Sequence, residues 1–154
     1  AAVRYPRGQG PGSQVEKSLK PIPIGKARIC RQGEKVALLA FGSMLDEALL
    51  AAEKINATVV NMRFVKPLDT QMLLDMSANH ALLVTIEENV VAGGAGSGVN
   101  EYLQSRQISR PVINLGLPDH FVEHGTTRAL LSSCGLDAAG ILSAISSSMK
   151  DTQA

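Results

Sequence analysis

The sequence predicts a three-layer α/β/α domain, built on a mostly parallel sheet of about five strands with one antiparallel edge strand. Two patterns carry this expectation. Short apolar runs, too brief for helices and nearly unbroken by polar residues, recur along the chain, as buried parallel strands require. Between them lie segments whose apolar residues recur at helical spacing, and strand–helix alternation of this kind builds a sheet covered on both faces. A third feature, the Pro- and Gly-rich first 25 residues, falls outside the pattern and reads as a connection.

Taken in order, Ala27 to Arg31 forms a first short strand. Only Gln32-Gly33-Glu34 and Lys35 separate it from Val36-Ala37-Leu38-Leu39-Ala40-Phe41, a buried strand closed by Gly42. A parallel pair needs a long crossover, so these two are expected to pair antiparallel at the sheet edge. Ser43, with Asp46 three residues on, is a candidate N-cap. It precedes a helix whose face carries Leu45, Ala48, Leu49, Ala52 and Ile55. Thr58-Val59-Val60-Asn61-Met62-Arg63-Phe64 reads as the next strand, ended by Pro67. Asp69 or Thr70 starts a second helix bearing Leu73 and Met76. Residues 81–86 form a third apolar strand, 94–106 a helix and 111–115 a further strand. A last helix, capped by Asp137, carries Ala138, Ile141, Leu142, Ile145 and Met149 on one face. Residues 26–150 are thus expected to form one compact domain, with residues 1–25 the tail of a preceding domain plus a linker. No internal repeat is visible.

Composition narrows the function classes. The 154 residues suit one domain with its own core. Aromatic residues make up 3% of the chain and Trp is absent, too few for a base-stacking platform. Fifteen basic residues against fourteen acidic give a formal charge of +1, so neither a nucleic acid nor a membrane surface is an expected partner. No apolar run approaches the ~18–20 residues of a membrane span, and no signal peptide is evident. Cys30 and Cys134 lie far apart, outside any metal-ligand spacing, and read as reduced core thiols of a cytosolic protein. The chain begins Ala1-Ala2-Val3 rather than with Met, as a fragment or a processed chain would.

Three segments are candidates for chemistry. In Arg4-Tyr5-Pro6-Arg7-Gly8, Pro6 stiffens a turn carrying two arginines, and a guanidinium fork matches phosphate or carboxylate geometry. Solvated linker arginines are the alternative. Glu87-Glu88-Asn89 stands at the carboxyl end of a strand, followed by Gly93-Gly94-Ala95-Gly96-Ser97-Gly98 at a helix start, where ligands bind in open α/β sheets. The glycine spacing misses the dinucleotide fingerprint, because Val99 stands where the last Gly belongs. Two adjacent carboxylates would also repel a pyrophosphate. Close packing of the helix start, on the sheet or on a partner subunit, explains the glycines better. Neighbouring strand residues point to opposite faces, so Glu87 and Glu88 are not expected to form an acid/base dyad. The third segment, Asp119-His120-Phe121-Val122-Glu123-His124-Gly125, has residues a metal could use. The flanking Pro118 and Gly125 deny it the helical register that two His ligands four apart require, so loop hydrogen bonding or an interface is expected instead. His80 ends a helix, where a cation suits the dipole, and reads as structural.

The order of the motifs resembles the 1-deoxy-D-xylulose-5-phosphate synthases of the transketolase superfamily. Arg4-Tyr5-Pro6-Arg7-Gly8, Pro23-Ile24-Gly25-Lys26 and Ala40-Phe41-Gly42 come first. Met62-Arg63-Phe64-Val65-Lys66-Pro67-Leu68-Asp69 and Val84-Thr85-Ile86-Glu87-Glu88-Asn89 with residues 93–98 follow. Asn114-Leu115-Gly116-Leu117-Pro118-Asp119 and Gly135-Leu136-Asp137-Ala138-Ala139-Gly140 complete the series. Transketolases and the β subunits of 2-oxoacid dehydrogenases share the domain with looser motifs. The resemblance implies the third, C-terminal domain of a cytoplasmic bacterial (or plastid) homodimer that uses thiamine diphosphate and Mg²⁺. It implies condensation of pyruvate with glyceraldehyde 3-phosphate, feeding isoprenoid, thiamine and pyridoxal synthesis. Residues 1–25 would then be the tail of the preceding pyrimidine-binding domain plus a linker. Arg7 would hold the acceptor's phosphate, with Arg4 and Tyr5 in support; Glu88, Asn89, Gly94 and Gly96 would serve an interface. The family's diphosphate and metal segment and its catalytic glutamate lie outside these residues. The piece alone is therefore expected to bind no cofactor or metal and to be inactive, with the N-terminal domains of the same enzyme as its partners.

Overall fold

A computed structural model describes residues 2–3, 18 and 20–151. Five strands form one sheet in the order β1-β3-β2-β4-β5. They are β1 (Arg28–Arg31), β2 (Val36–Ala40), β3 (Thr58–Asn61), β4 (Leu82–Val90) and β5 (Val112–Leu117). The helices are α1 (Leu45–Ile55), α2 (Thr70–Asn79), α3 (Ala95–Ser105), α4 (Thr127–Ser133) and α5 (Ala138–Asp151). The pairings β2–β3, β2–β4 and β4–β5 are parallel, and β1–β3 is antiparallel. This is the expected doubly covered sheet.

The central strand explains the layers. All five residues of β2 are buried. Val36, Leu38 and Ala40 point to one side, where Ala48, Ala51 and Ala52 of α1 and Ile141 and Ile145 of α5 complete a core. Ala37 and Leu39 point to the other, with Leu73 and Met76 of α2 and Val99 and Leu103 of α3. Both faces of a parallel strand are thereby withdrawn from water, which is why its sequence is continuously apolar. Two carboxylates fasten the start of α5: Asp137 accepts from Gly140 N–H at 2.8 Å and Glu47 of α1 accepts from Ala138 N–H at 2.8 Å.

Four local expectations change. The antiparallel edge strand β1 pairs with β3, not with β2, because β2 already has parallel neighbours on both sides. Strand β3 stops at Asn61 rather than Phe64: Asn61 Oδ1 accepts from Arg63 N–H, and Arg63 turns into the left-handed region at φ 58°. Ser43 does not cap α1. A 3₁₀ turn over Gly42–Met44 precedes that helix, whose N-cap position is Met44 with no side-chain bond. Helix α4 is additional, started by Thr126, whose hydroxyl accepts from Ala129 N–H at 3.3 Å.

Cys30 and Cys134 are free and only partly buried, so neither is a fully enclosed core thiol. Within Thr127–Lys150 an 18-residue window reaches a mean hydropathy of 1.5, long and apolar enough by composition to span a bilayer. The stretch is not one helix: α4 ends at Ser133, Gly135 takes φ +70°, and Leu136, Ile141 and Ile145 are buried in the core.

Candidate functional site

The strand order reverses between β2 and β4, so the crevice beyond their carboxyl ends is where open α/β sheets take ligands. Alternation along β4 decides what fills it. Leu83, Thr85 and Glu87 face α2 and α3, while Ile86 and Glu88 face the α1 side. Glu87 is buried, 4% exposed, and its carboxylate accepts from Ala95 N–H at 2.7 Å and Gly96 N–H at 2.8 Å. These are donors a helix N-terminus would otherwise offer a bound anion. Here the Glu87 carboxyl group, from the preceding strand, takes both donors itself. Glu88 is exposed on the opposite face and accepts a short hydrogen bond from Ser43 Oγ. The two acids thus do unrelated work, as expected from strand geometry.

The glycines let this happen. A Cβ on Gly94 would lie 2.5 Å from Glu87 Oε2. One on Gly96 would lie 2.5 Å from Thr85 Oγ1 and 2.6 Å from Asn114 Nδ2. Below them runs a polar ladder: Asn114 Nδ2 donates to Thr85 Oγ1 at 2.7 Å, and Asn100 Nδ2 donates to Asn114 Oδ1 at 2.6 Å. The ladder was not anticipated, although Thr85 and Asn114 are the polar residues of two apolar runs and are direct partners in the β4–β5 register.

Beside β5 lies an open groove of about 880 Å³ that includes Leu117, Pro118, Phe121, Val122, Leu130 and Cys134. Asp119, His120 and Glu123 also line it, in a loop as expected. Among the described residues no group of three His, Cys, Asp or Glu could hold a metal ion. His80 is buried at the end of α2, its Nδ1 3.1 Å from Met76 O and its Nε2 2.8 Å from Thr58 Oγ1, a structural role.

Two carboxyls are held below their ordinary value of 3.8. Burial pushes Asp69 up, but the N–H groups of Ala27 and Met72 and the Lys26 ammonium outweigh it. Asp137 is lowered by the Ser132 hydroxyl first and Gly140 N–H second, against a smaller opposing effect of burial. Of the residues singled out in the sequence, Glu88 and Asn89 are exposed at the carboxyl end of β4, whereas Gly94 and Gly96 pack at the start of α3 against Glu87, Thr85 and Asn114; Arg4, Tyr5 and Arg7 lie outside the described residues.

The family described as "Transketolase, C-terminal domain" matches residues 25–141. The chain is 56% identical over 97% of its length to 1-deoxy-D-xylulose-5-phosphate synthase of Pseudomonas putida strain W619, covering 24% of that protein. It is 57% identical over 98% of its length to the same synthase of Thioalkalivibrio sulfidiphilus, again covering 24%. The chain thus spans about a quarter of the length of these relatives. A solved split-gene transketolase, described as an inactive beta4 tetramer, superposes with a TM-score of 0.75 at 33% identity, over 86% of this chain and 44% of that one. Transketolase from Campylobacter jejuni shares the fold, with a TM-score of 0.60 at 15% identity over 86% of this chain and 20% of that one.

Proposed function

Because the chain belongs to the transketolase C-terminal domain family, we propose that it is the C-terminal portion of a 1-deoxy-D-xylulose-5-phosphate synthase. The observation that carries this reading is the 56% identity to a synthase over 97% of the chain, against 33% to the split-gene transketolase. The whole enzyme would be a cytoplasmic transferase that joins pyruvate, after decarboxylation, to glyceraldehyde 3-phosphate. Thiamine diphosphate and Mg²⁺ would be held by the rest of the polypeptide.

The part this chain plays is then limited. Arg7 would supply a planar fork for the acceptor's phosphate, and holding that end of the triose favours the reactive geometry elsewhere. The domain itself would serve as scaffold and as a contact in a homodimer. Glu88 and Asn89, both exposed, are better placed to reach a partner than Gly94 and Gly96, which already pack within the chain.

Donor choice tests the assignment. The full-length protein should form 1-deoxy-D-xylulose 5-phosphate and CO₂ from pyruvate and glyceraldehyde 3-phosphate, and should not use a ketose phosphate as donor. Transfer from a ketose phosphate without pyruvate turnover would make it a transketolase instead.

A further inference from the structure

We propose that Asp69 is the positioning residue of the joint between the leader and the domain, fixing the direction in which the polypeptide before residue 25 leaves the sheet. The inference rests on the reading of Arg7 given above, but its geometry stands alone. Asp69 is 5% exposed and uses its two oxygens on different elements. Oδ1 accepts from Met72 N–H at 3.2 Å, capping α2. Oδ2 accepts from Ala27 N–H at 2.9 Å, forty-two residues back in sequence and immediately before β1. Lys26 Nζ lies 3.7 Å from Oδ1.

An N-cap needs one oxygen. The second oxygen of Asp69 is spent on the backbone of the arriving chain. The same segment receives a second contact from the loop before α2. Gly25, at φ +69°, lies so close to Pro67 that a Cβ there would meet Pro67 Cγ at 2.9 Å. A side chain at 25 would be strained in that conformation and would press on the ring. Lys26 N–H donates to Pro23 O at 3.3 Å, closing a turn. Residues 21–24 are all exposed, Ile22 at 59% and Ile24 at 77%. Gly25–Ala27 is tied in this way to Pro67 and Asp69 of the Lys66-Pro67-Leu68-Asp69 run. If the leader carries the acceptor-phosphate arginine, Asp69 tunes acceptor binding without touching substrate.

Asp69→Ser separates the two duties, since a serine hydroxyl can still cap α2 but is too short to reach Ala27 as well. Hydrogen exchange on the 154-residue chain should show Met72 N–H still protected and Ala27 N–H exchanging about tenfold faster. In the full-length protein, Asp69→Ser should raise the KM for glyceraldehyde 3-phosphate by about tenfold with kcat changed much less. Arg7→Ala runs beside it. Unchanged Ala27 exchange in Asp69→Ser overturns the joint. Faster exchange with an unchanged KM, while Arg7→Ala does raise it, overturns the positioning role and leaves the substrate reading intact. An unchanged KM in Arg7→Ala overturns the substrate reading and the positioning role with it.

Discussion

The Glu87 carboxylate on β4 accepts from the backbone N–H of Gly96 on α3 at 2.8 Å, nine residues away, so a strand acid closes the helix N-terminus that follows it. Together with the bond to Ala95 N–H, this occupies a position at which open α/β folds hold phosphates. Glu87→Gln keeps one acceptor oxygen and turns an amide N–H₂ toward a donor. We expect a loss of about 1–3 kcal/mol in urea denaturation, the cost of a buried donor left unpaired. A midpoint unchanged from the parent would remove the capping role.

Gly96 and Gly98 should respond oppositely to the same change. Gly96→Ala places a methyl 2.5 Å from Thr85 Oγ1 and 2.6 Å from Asn114 Nδ2, and overpacking of this kind costs about 1–3 kcal/mol. Gly98→Ala meets nothing within 4 Å and lies inside α3, so it should stabilise by about 0.4–1 kcal/mol. Equal effects at the two positions, read from thermal midpoints, would contradict the close approach of α3 to the sheet.

Acid should weaken the fold through Asp69 and Asp137. Both folded carboxyls sit below the ordinary value of 3.8, so the unfolded chain binds protons first. The stability they contribute is fully present above about pH 5 and is lost as the pH falls through and below the ordinary carboxylate range. Denaturant midpoints followed from pH 7 to pH 2 should fall in that window, and Asp69→Ala should flatten the fall. Asp69→Ala should also cost about 1–2 kcal/mol at neutral pH through the lost cap. A fall of the same steepness in Asp69→Ala would show that this carboxylate does not carry its share.

Much of this was legible in the sequence. Residues 36–41 had to be a central strand because an unbroken apolar run needs cover on both faces, and β2 has it. Glu87 and Glu88 had to face apart, and they bond to different elements. What the sequence hid was mostly non-local. The partner of β1 depends on which edge of the sheet stays free after β2 has taken β3 and β4, and nothing near Arg28 records that. Ser43 looked like a cap by its spacing to Asp46, but its hydroxyl finds Glu88 forty-five residues away. Helix α4 spans only Thr127–Ser133 and buries no residue completely, so it left little periodic signal. The second oxygen of Asp69 reaches Ala27 across a separation no local pattern reports.

In the function proposed above, this chain contributes an anion contact to the synthase reaction and leaves turnover to the rest of the polypeptide. Steady-state kinetics of the full-length Arg7→Ala variant test it most directly. Losing a charge-assisted contact of about 1.5–3 kcal/mol predicts a KM for glyceraldehyde 3-phosphate roughly ten- to hundredfold higher, with the KM for pyruvate nearly unchanged. An unchanged acceptor KM, or equal rises for both substrates, would contradict it.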